Sequence, residues 1–213
     1  MHQFISDSYD FACISMSPEI KIDGSIALTA ICNVLGNDEY AVVVGTTNSF
    51  SSRPSLPAGA VIDSAKLSRV RIVTCETTAE LHQFISHDLV LASPAPRVVA
   101  VLGLSEFIEA PDDQRKQYDL GNIIGILKAV VIQRHRYGSV IISLSDRDVS
   151  RYRVSNVLNR AGGLTVSVSW AGGGRIGVIV TRGTQPLLEG DCSLETGRRI
   201  RWLSIGPSMD VKG

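Results

Sequence analysis

The sequence of 213 residues lacks the features that define several large classes of protein. Its four cysteines are isolated and form no CxxC pair, which excludes a zinc ribbon and favours a reduced intracellular compartment. The longest apolar runs, near residues 98–102 and 140–142, fall far short of the roughly 18 residues that span a bilayer. No basic flank precedes an apolar stretch at the N-terminus, so we expect no secretory signal.

Motifs of common enzymes are missing as well. The sequence contains no G-x-S-x-G nucleophile elbow and no H-E-x-x-H zinc motif. His82 and His87 are five residues apart, a spacing that does not bring two metal ligands to one face of a helix. We therefore predict no catalytic residue, no metal site and no cofactor, and we expect a chain that is not an enzyme.

The formal net charge of the sequence is zero, but the acidic and basic residues are unevenly distributed along the chain. Residues 1–130 carry nine basic and fifteen acidic side chains, whereas residues 131–213 carry twelve basic and six acidic ones. Eleven of those twelve basic residues are arginine, which binds phosphate and carboxylate groups in a bidentate manner. The C-terminal part is therefore expected to contact a polyanion or an acidic protein, although ordinary surface ion pairs would give the same composition.

Hydrophobic periodicity predicts alternating strands and helices over most of the chain. Continuously apolar segments such as YAVVVG are typical of strands buried on both faces, which favours a parallel sheet. Apolar residues at helical spacing predict three helices, the longest of them over residues 112–136. The predicted strands are 9–15, 40–45, 69–73, 98–102 and 139–144, and the predicted helices are 25–35, 77–86 and 112–136.

The pattern changes after residue 145. Residues 149–160 are loosely helical, and residues 164–170 alternate as LTVSVSW, which is typical of a half-exposed strand. The AGGG turn and residues 175–181 complete a hairpin, and residues 198–204 form a final strand. The fold class that we predict is a three-layer α/β/α protein with a mostly parallel central sheet and a C-terminal antiparallel hairpin.

The loop after the second predicted strand matches the frame of a phosphate-binding loop, G-x-x-x-x-G-K-[ST]. Gly45 fits the first glycine, but Phe50 stands at the second glycine and Ser51 at the lysine, while Ser52 keeps the hydroxyl position. The phenyl ring would block the close backbone approach that phosphate needs, and Ser51 supplies no positive charge. This frame predicts a degenerate loop without nucleotide chemistry, and a plain serine-rich surface loop is the alternative.

The strand at residues 98–102 ends in Leu102, followed by Gly103 and Leu104. This stretch resembles the second nucleotide motif of RecA-like ATPases, in which the strand ends in an aspartate. Because a leucine side chain cannot hold a metal-bound water, this second half of the site is expected to be defective too.

With these two motifs in place, the chain resembles the small recombinase-paralogue subunits of the Shu complex, which are RecA-fold proteins without ATP chemistry. The matching stretches are residues 42–52, 70–85, 98–108, 120–130 and 198–203. The resemblance implies a RecA-like core over residues 39–213 and a strand-and-helix extension over residues 1–38. It also implies a non-catalytic nuclear subunit that binds a second paralogue, a recombinase and DNA in homologous recombination.

Two alternatives remain open at this stage. The RecA-like subunits of Elongator that lack ATPase activity share the same architecture and act in modification of the tRNA wobble uridine. An ATPase with a divergent loop is the other alternative, against which Ser51 and Leu102 count.

The loop after the fourth parallel strand is the predicted DNA contact. Basic side chains around one aromatic ring suit single-stranded or forked DNA, because arginine binds phosphates and tyrosine can stack on a base. The alternative is that one face of a short helix pairs with the acidic half of the same molecule. The predicted contact residues are Arg147, Arg151, Tyr152, Arg153 and Arg160.

Overall fold

The computed structural model describes residues 10–17, 19–20, 22–50, 64–110, 112–135, 138–152, 154, 163–173, 175–195 and 199–207. At residues 172, 194–195 and 199–207 the description covers the backbone only. Ser51, Ser52, Arg153 and Arg160 lie outside the described residues, so the predictions made for them stay predictions.

The described strands form one nine-stranded sheet in the order β3-β2-β4-β5-β1-β6-β7-β8-β9. All pairs from β3 to β6 are parallel, and β6 to β9 form an antiparallel meander. In chain order, the strands are β1 Phe11–Met16, β2 Ala41–Gly45, β3 Val70–Thr74, β4 Val98–Val101, β5 Ser139–Ser145, β6 Leu164–Gly172, β7 Arg175–Arg182, β8 Gln185–Glu195 and β9 Arg199–Pro207.

Helices cover both faces of the parallel part. The α4 and α5 helices continue as wider π-helical segments, Phe84–Leu89 and Lys128–Arg134, and a 3-10 turn, Leu104–Phe107, follows β4. Within the described residues, no helix has the length and apolar content that a bilayer crossing needs. The helices are α1 Asp23–Val34, α2 Thr47–Phe50, α3 Ser64–Leu67, α4 Thr78–Gln83, α5 Asp113–Leu127 and α6 Asp146–Arg151.

Two hydrophobic cores lie on opposite faces of the sheet. Side chains of α4 and α5, among them Leu81 and Leu127, pack on one face, and side chains of α1, among them Ile31, pack on the other. Alternate residues of one strand serve the two cores: Val42 and Val44 face α4 and α5, while Ala41 and Val43 face α1. The predicted three-layer α/β/α class, with a mostly parallel sheet and an antiparallel C-terminal end, is confirmed.

The N-terminal strand is an inner strand of the sheet. The β1 strand pairs in parallel with β5 on one side and β6 on the other, and all six of its residues are buried. The strand and helix expected as an extension over residues 1–38 are thus present, but their described residues share the sheet and the α1-side core with the rest of the chain.

The sequence prediction missed β8. Pro186, Gly190 and Asp191 disfavour strand conformation by local propensity, so residues 185–195 read as a connection. In the structure they pair with β7 and β9, and the register shifts beside Thr181 and beside Cys192. The hairpin and final strand predicted for the C-terminus are therefore parts of a four-stranded meander.

Candidate functional site

A crevice of about 210 Å³ lies where four parallel strands end. The connection after β2 runs to β3 on one side, whereas the connection after β4 runs to β5 on the other side, and ligands of open α/β sheets bind beside such a reversal, outside the carboxyl ends of the strands. Residues at the carboxyl ends of β1 and β5, or in the segments that follow β1, β2, β4 and β5, line the crevice, namely Met16, Ser17, Ile20, Asp23, Asn48, Ser49, Gly103, Ser105, Glu106, Ser143, Leu144, Ser145 and Asp148.

Carboxylates and serine hydroxyls dominate the polar lining of the crevice. The hydroxyl of Ser143 donates to Asp23 Oδ2 at 2.7 Å and accepts from the backbone N–H of Gly103 at the same distance. The hydroxyl of Ser105 donates to Asp148 Oδ2 at 2.5 Å. Among the described lining residues there is no lysine or arginine, so the crevice is acidic.

Glu106 is held above the crevice by residues from the neighbouring strand. The hydroxyl of Thr46 donates to Glu106 Oε2 at 2.9 Å, and that of Ser49 donates to the same oxygen at 3.3 Å. Gly103 makes the turn out of β4 with φ 60°, a conformation that suits glycine, and a Cβ there would lie 2.9 Å from Glu106 Cδ. This turn is what brings the carboxylate back over the strand ends.

A fourth carboxylate stands beside the crevice. Asp146 Oδ2 accepts from the Ser17 hydroxyl at 3.2 Å, whereas its Oδ1 is buried and has no hydrogen-bond partner among the described residues. Despite this density of acids, the described part of the chain contains no group of three or more His, Cys, Asp or Glu side chains arranged to bind a metal.

The predicted phosphate loop lies at the end of β2. A Cβ on Gly45 would lie 2.9 Å from Phe50 Cζ, so the phenyl ring packs directly against this glycine, and it also contacts the α1-side core. The α2 helix that follows has only four residues. The backbone N–H of its first residue, Thr47, donates to Glu76 Oε1 at 3.0 Å, which is a carboxylate of the chain itself.

Leu102, the other residue predicted for the degenerate site, is buried in the core on the α1 side. Its backbone N–H donates to the carbonyl of Val44 at 2.8 Å, which extends the pairing of β4 with β2. Its Cδ1 would lie 3.6 Å from a Cβ on Gly24 in the first turn of α1. The structure thus brings Gly45, Phe50 and Leu102 to the same end of the sheet as the crevice.

The described residues of the predicted DNA contact belong to α6, which begins at Asp146 rather than at residue 149. Arg147 is 76% exposed and lies 3.6 Å from Glu19, and Arg151 is 63% exposed and lies 2.8 Å from Asp113. Both arginines therefore form ion pairs with the acidic half of the same chain. Asp113 raises the pKa of the Arg151 guanidinium through a hydrogen bond and through its charge.

Tyr152 corrects the sequence prediction. Its side chain is only 5% exposed and packs in the core beside α4 and α5, so it is not free to stack on a base. The ring instead makes cation–π contacts with two side chains: Lys116 Nζ lies 5.3 Å and Arg151 Cζ lies 5.7 Å from the ring centroid. A single aromatic residue among arginines could not reveal this from the sequence, because the burial depends on α5.

Two buried cysteines are unsuited to nucleophilic chemistry. Burial raises the pKa of the Cys13 thiol to about 12 and that of Cys192 to about 11. Because the thiolate is the reactive form, neither group reacts at neutral pH.

Sequence reasoning missed Asp23, Ser105, Ser143 and Asp148 as crevice residues. A signal was available for Ser105, Ser143 and Asp148, because each lies at or just after the carboxyl end of a predicted parallel strand, where such ends meet at one edge of the sheet. Asp23 instead begins the helix that follows β1. The order of the strands was needed to see which ends would be neighbours.

Comparison with known proteins supports the fold. No protein-family model and no curated protein matches the sequence. Among solved structures, a DnaB-like replicative helicase described with its interactions with primase is similar over 91% of this chain, at 14% identity and a TM-score of 0.55. The chain spans about 57% of that helicase chain. A second solved structure, an ATPase domain, is similar over 92% of this chain and 85% of its own length, at 14% identity and a TM-score of 0.56.

These similarities define the fold as RecA-like, as the sequence motifs suggested. They do not extend to the Shu complex or to Elongator. They also contradict the prediction that the chain is not an enzyme, because the structures that share its fold are those of a replicative helicase and of an ATPase domain.

Proposed function

We propose that this chain is a RecA-like subunit that binds DNA and a second RecA-like subunit in homologous recombination in the nucleus. The observation that supports this proposal best is the position of α6. Its exposed Arg147 and Arg151 flank Asp148, which lines the crevice at the carboxyl end of the sheet. One of the similar structures is that of a replicative helicase, a protein of DNA metabolism.

The ion pairs of the two arginines are compatible with DNA binding. Surface pairs contribute about 0–1 kcal/mol, since water screens the charges and long side chains lose entropy. A DNA phosphate carries the same charge as a carboxylate and can accept bidentate hydrogen bonds from a guanidinium group. The Glu19 and Asp113 carboxylates can therefore exchange for phosphates at little cost.

The test is a double variant, Arg147→Ala with Arg151→Ala, measured by fluorescence anisotropy on forked DNA across a salt series. Loss of two phosphate contacts should reduce the magnitude of the logarithmic salt slope by about 1.4 to 1.8. The loss should be similar for different DNA sequences, because phosphate contacts carry no base information.

The matched control removes two exposed arginines from β7, Arg175→Ala with Arg182→Ala, and should change the slope less. Wild-type affinity and slope in the α6 variant would contradict DNA binding by this helix. Loss of a partner protein with unchanged DNA binding would assign the α6 arginines to a protein interface.

The partner is tested separately by affinity purification of the tagged chain and mass spectrometry. We expect a RecA-like recombination subunit in one-to-one stoichiometry, together with a recombinase. Elongator subunits in the eluate would instead favour the tRNA-modification alternative.

Hydrolysis of ATP is a second candidate function, favoured by the fold and by Glu106. This carboxylate faces the crevice with Oε2 fixed by two hydroxyl donors, an arrangement in which a carboxylate can orient and deprotonate a water molecule. The test is release of phosphate from ATP with and without DNA. Activity that Glu106→Gln abolishes and Glu109→Gln leaves intact would support it, and no release above a buffer blank would exclude it.

A further inference from the structure

Cations from two different helices make cation–π contacts with one aromatic ring at the proposed DNA surface. Tyr152, at the end of α6, is fixed in the core, and Arg151 of α6 and Lys116 of α5 both lie within 6 Å of its ring centroid. Cations are attracted to the face of an aromatic ring, and a fixed ring restricts the positions of both side chains. The sequence did not point to Lys116, which is 36 residues away from Tyr152 along the chain.

A carboxylate of the same chain already occupies the hydrogen-bonding edge of Arg151. Asp113 Oδ2 lies 2.8 Å from Arg151 Nε, and the two side chains are 54% and 63% exposed. Asp113 is the first residue of α5 and precedes Lys116 by three positions, which are neighbours on a helix surface. One carboxylate is therefore paired with Arg151 and is a helix neighbour of Lys116, at a site open to solvent.

From this arrangement, and resting on the proposed DNA binding, we infer that Asp113 is a built-in competitor of DNA phosphate for Arg151. In the free protein the carboxylate holds the guanidinium against the Tyr152 ring. When DNA binds, a phosphate oxygen replaces Asp113 at Nε, and Lys116 becomes a second phosphate contact. Asp113 thereby lowers the affinity of the protein for DNA, and it keeps the Arg151 side chain ordered before DNA binds.

The decisive variant is Asp113→Asn, which keeps the size of the side chain and removes its charge. Because an exposed ion pair contributes only a small free energy, its removal should have a modest effect: we expect binding to forked DNA to be about two- to five-fold tighter at low salt. The gain should fade as salt rises, because salt screens exposed charges.

The matched control is Asp119→Asn, on the same helix and with the same change of charge. Asp119 pairs with Arg115, four residues earlier on α5, at 3.2 Å, whereas Asp113 pairs with a residue of α6. Removal of any acid makes the whole protein more attractive to DNA. We expect the control to change affinity by less than about 1.5-fold, well below the gain for Asp113→Asn.

Two further variants separate this inference from the proposed function. Asp113→Asn combined with Arg151→Ala should lose the gain, because the competitor acts through the arginine. Lys116→Ala should reduce the salt slope by about 0.7 to 0.9, the value for one phosphate, whereas Gln117→Ala should not. Thermal melts of each variant identify any loss of fold.

The outcomes are distinct. Equal gains for Asp113→Asn and Asp119→Asn would reduce the effect to general charge and overturn the inference. If Arg151→Ala weakens binding while Asp113→Asn changes nothing, the inference fails and the proposed function stands. If neither variant changes binding, both fail.

Discussion

One carboxylate links the loops that follow two neighbouring strands. Glu76 follows β3 and accepts hydrogen bonds from the backbone N–H and the hydroxyl of Thr47, which begins α2. These bonds lower the pKa of Glu76 from its ordinary value of 4.5. An acid is also favourable at the start of a helix, although α2 is short.

The pH dependence of stability follows from the direction of that shift. Because the pKa of Glu76 is lower in the folded than in the unfolded state, its contribution is complete above pH 4.5 and is lost as pH falls through the folded value. The difference in melting temperature between wild type and Glu76→Gln should be largest near pH 6 and should shrink towards pH 3. A pH-independent difference would contradict the linkage, and Glu109→Gln, at another exposed glutamate, serves as the control.

At the scale of the elements, the helix formed by α4 and the π-helical segment that follows it buries only one of its faces in the core. Thr77 caps its N-terminus by accepting from the backbone N–H of Glu80 at 3.2 Å. At the other end, Leu89 is 2% exposed, whereas Leu91, two residues later, is 65% exposed. Two residues rotate a helix by about half a turn, so identical side chains meet opposite environments.

These two leucines make a matched test of the packing. Leu89→Ala removes a buried side chain and should lower the free energy of unfolding by about 2–5 kcal/mol. Leu91→Ala should change it by no more than about 0.5 kcal/mol, as for an ordinary surface position. Urea denaturation measures both values, and similar losses for the two variants would mean that the helix packs on a different face.

For the whole molecule, the central feature is the position of β1 between β5 and β6. The β1 strand connects β5 to β6, the strand at which the antiparallel meander begins, and α1, which follows β1, covers the face opposite α4 and α5. Ile31 of α1 is fully buried in that second core. Loss of a buried side chain in that core should therefore destabilise the whole sheet.

Ile31→Ala tests this connection. We expect a loss of about 2–5 kcal/mol in the free energy of unfolding and a single transition in which fluorescence and circular dichroism coincide. Fluorescence reports on Trp170 of β6 and Trp202 of β9, both far along the chain from α1. If the tryptophan transition keeps its wild-type midpoint while helix is lost early, the N-terminal residues form a separable unit; Asn33→Ala, on the exposed side of α1, is the control.

The parts that could be predicted depend on local patterns. Continuous apolar runs indicated β2, β4 and β5, and helical periodicity indicated α1, α4 and α5, with boundaries within a few residues. The start of α5 is local as well, because Asp112 accepts from the backbone N–H of Arg115 at 2.7 Å as an N-cap. The β8 strand could not be predicted in this way, because pairing with two neighbours overrides the low strand propensity of Pro186 and Gly190.

The sequence by itself determined the fold class, since side-chain periodicity selects helix or strand and buried apolar strands demand helices on both faces. It also determined that arginines follow β5. Only the tertiary structure decided the order of the strands, and with it the acidic crevice, because residues from four separate loops become neighbours only when those strands are adjacent. It likewise decided that Tyr152 is buried and supports Lys116 and Arg151, since burial is a property of the packed layers and is not encoded in any short stretch of sequence.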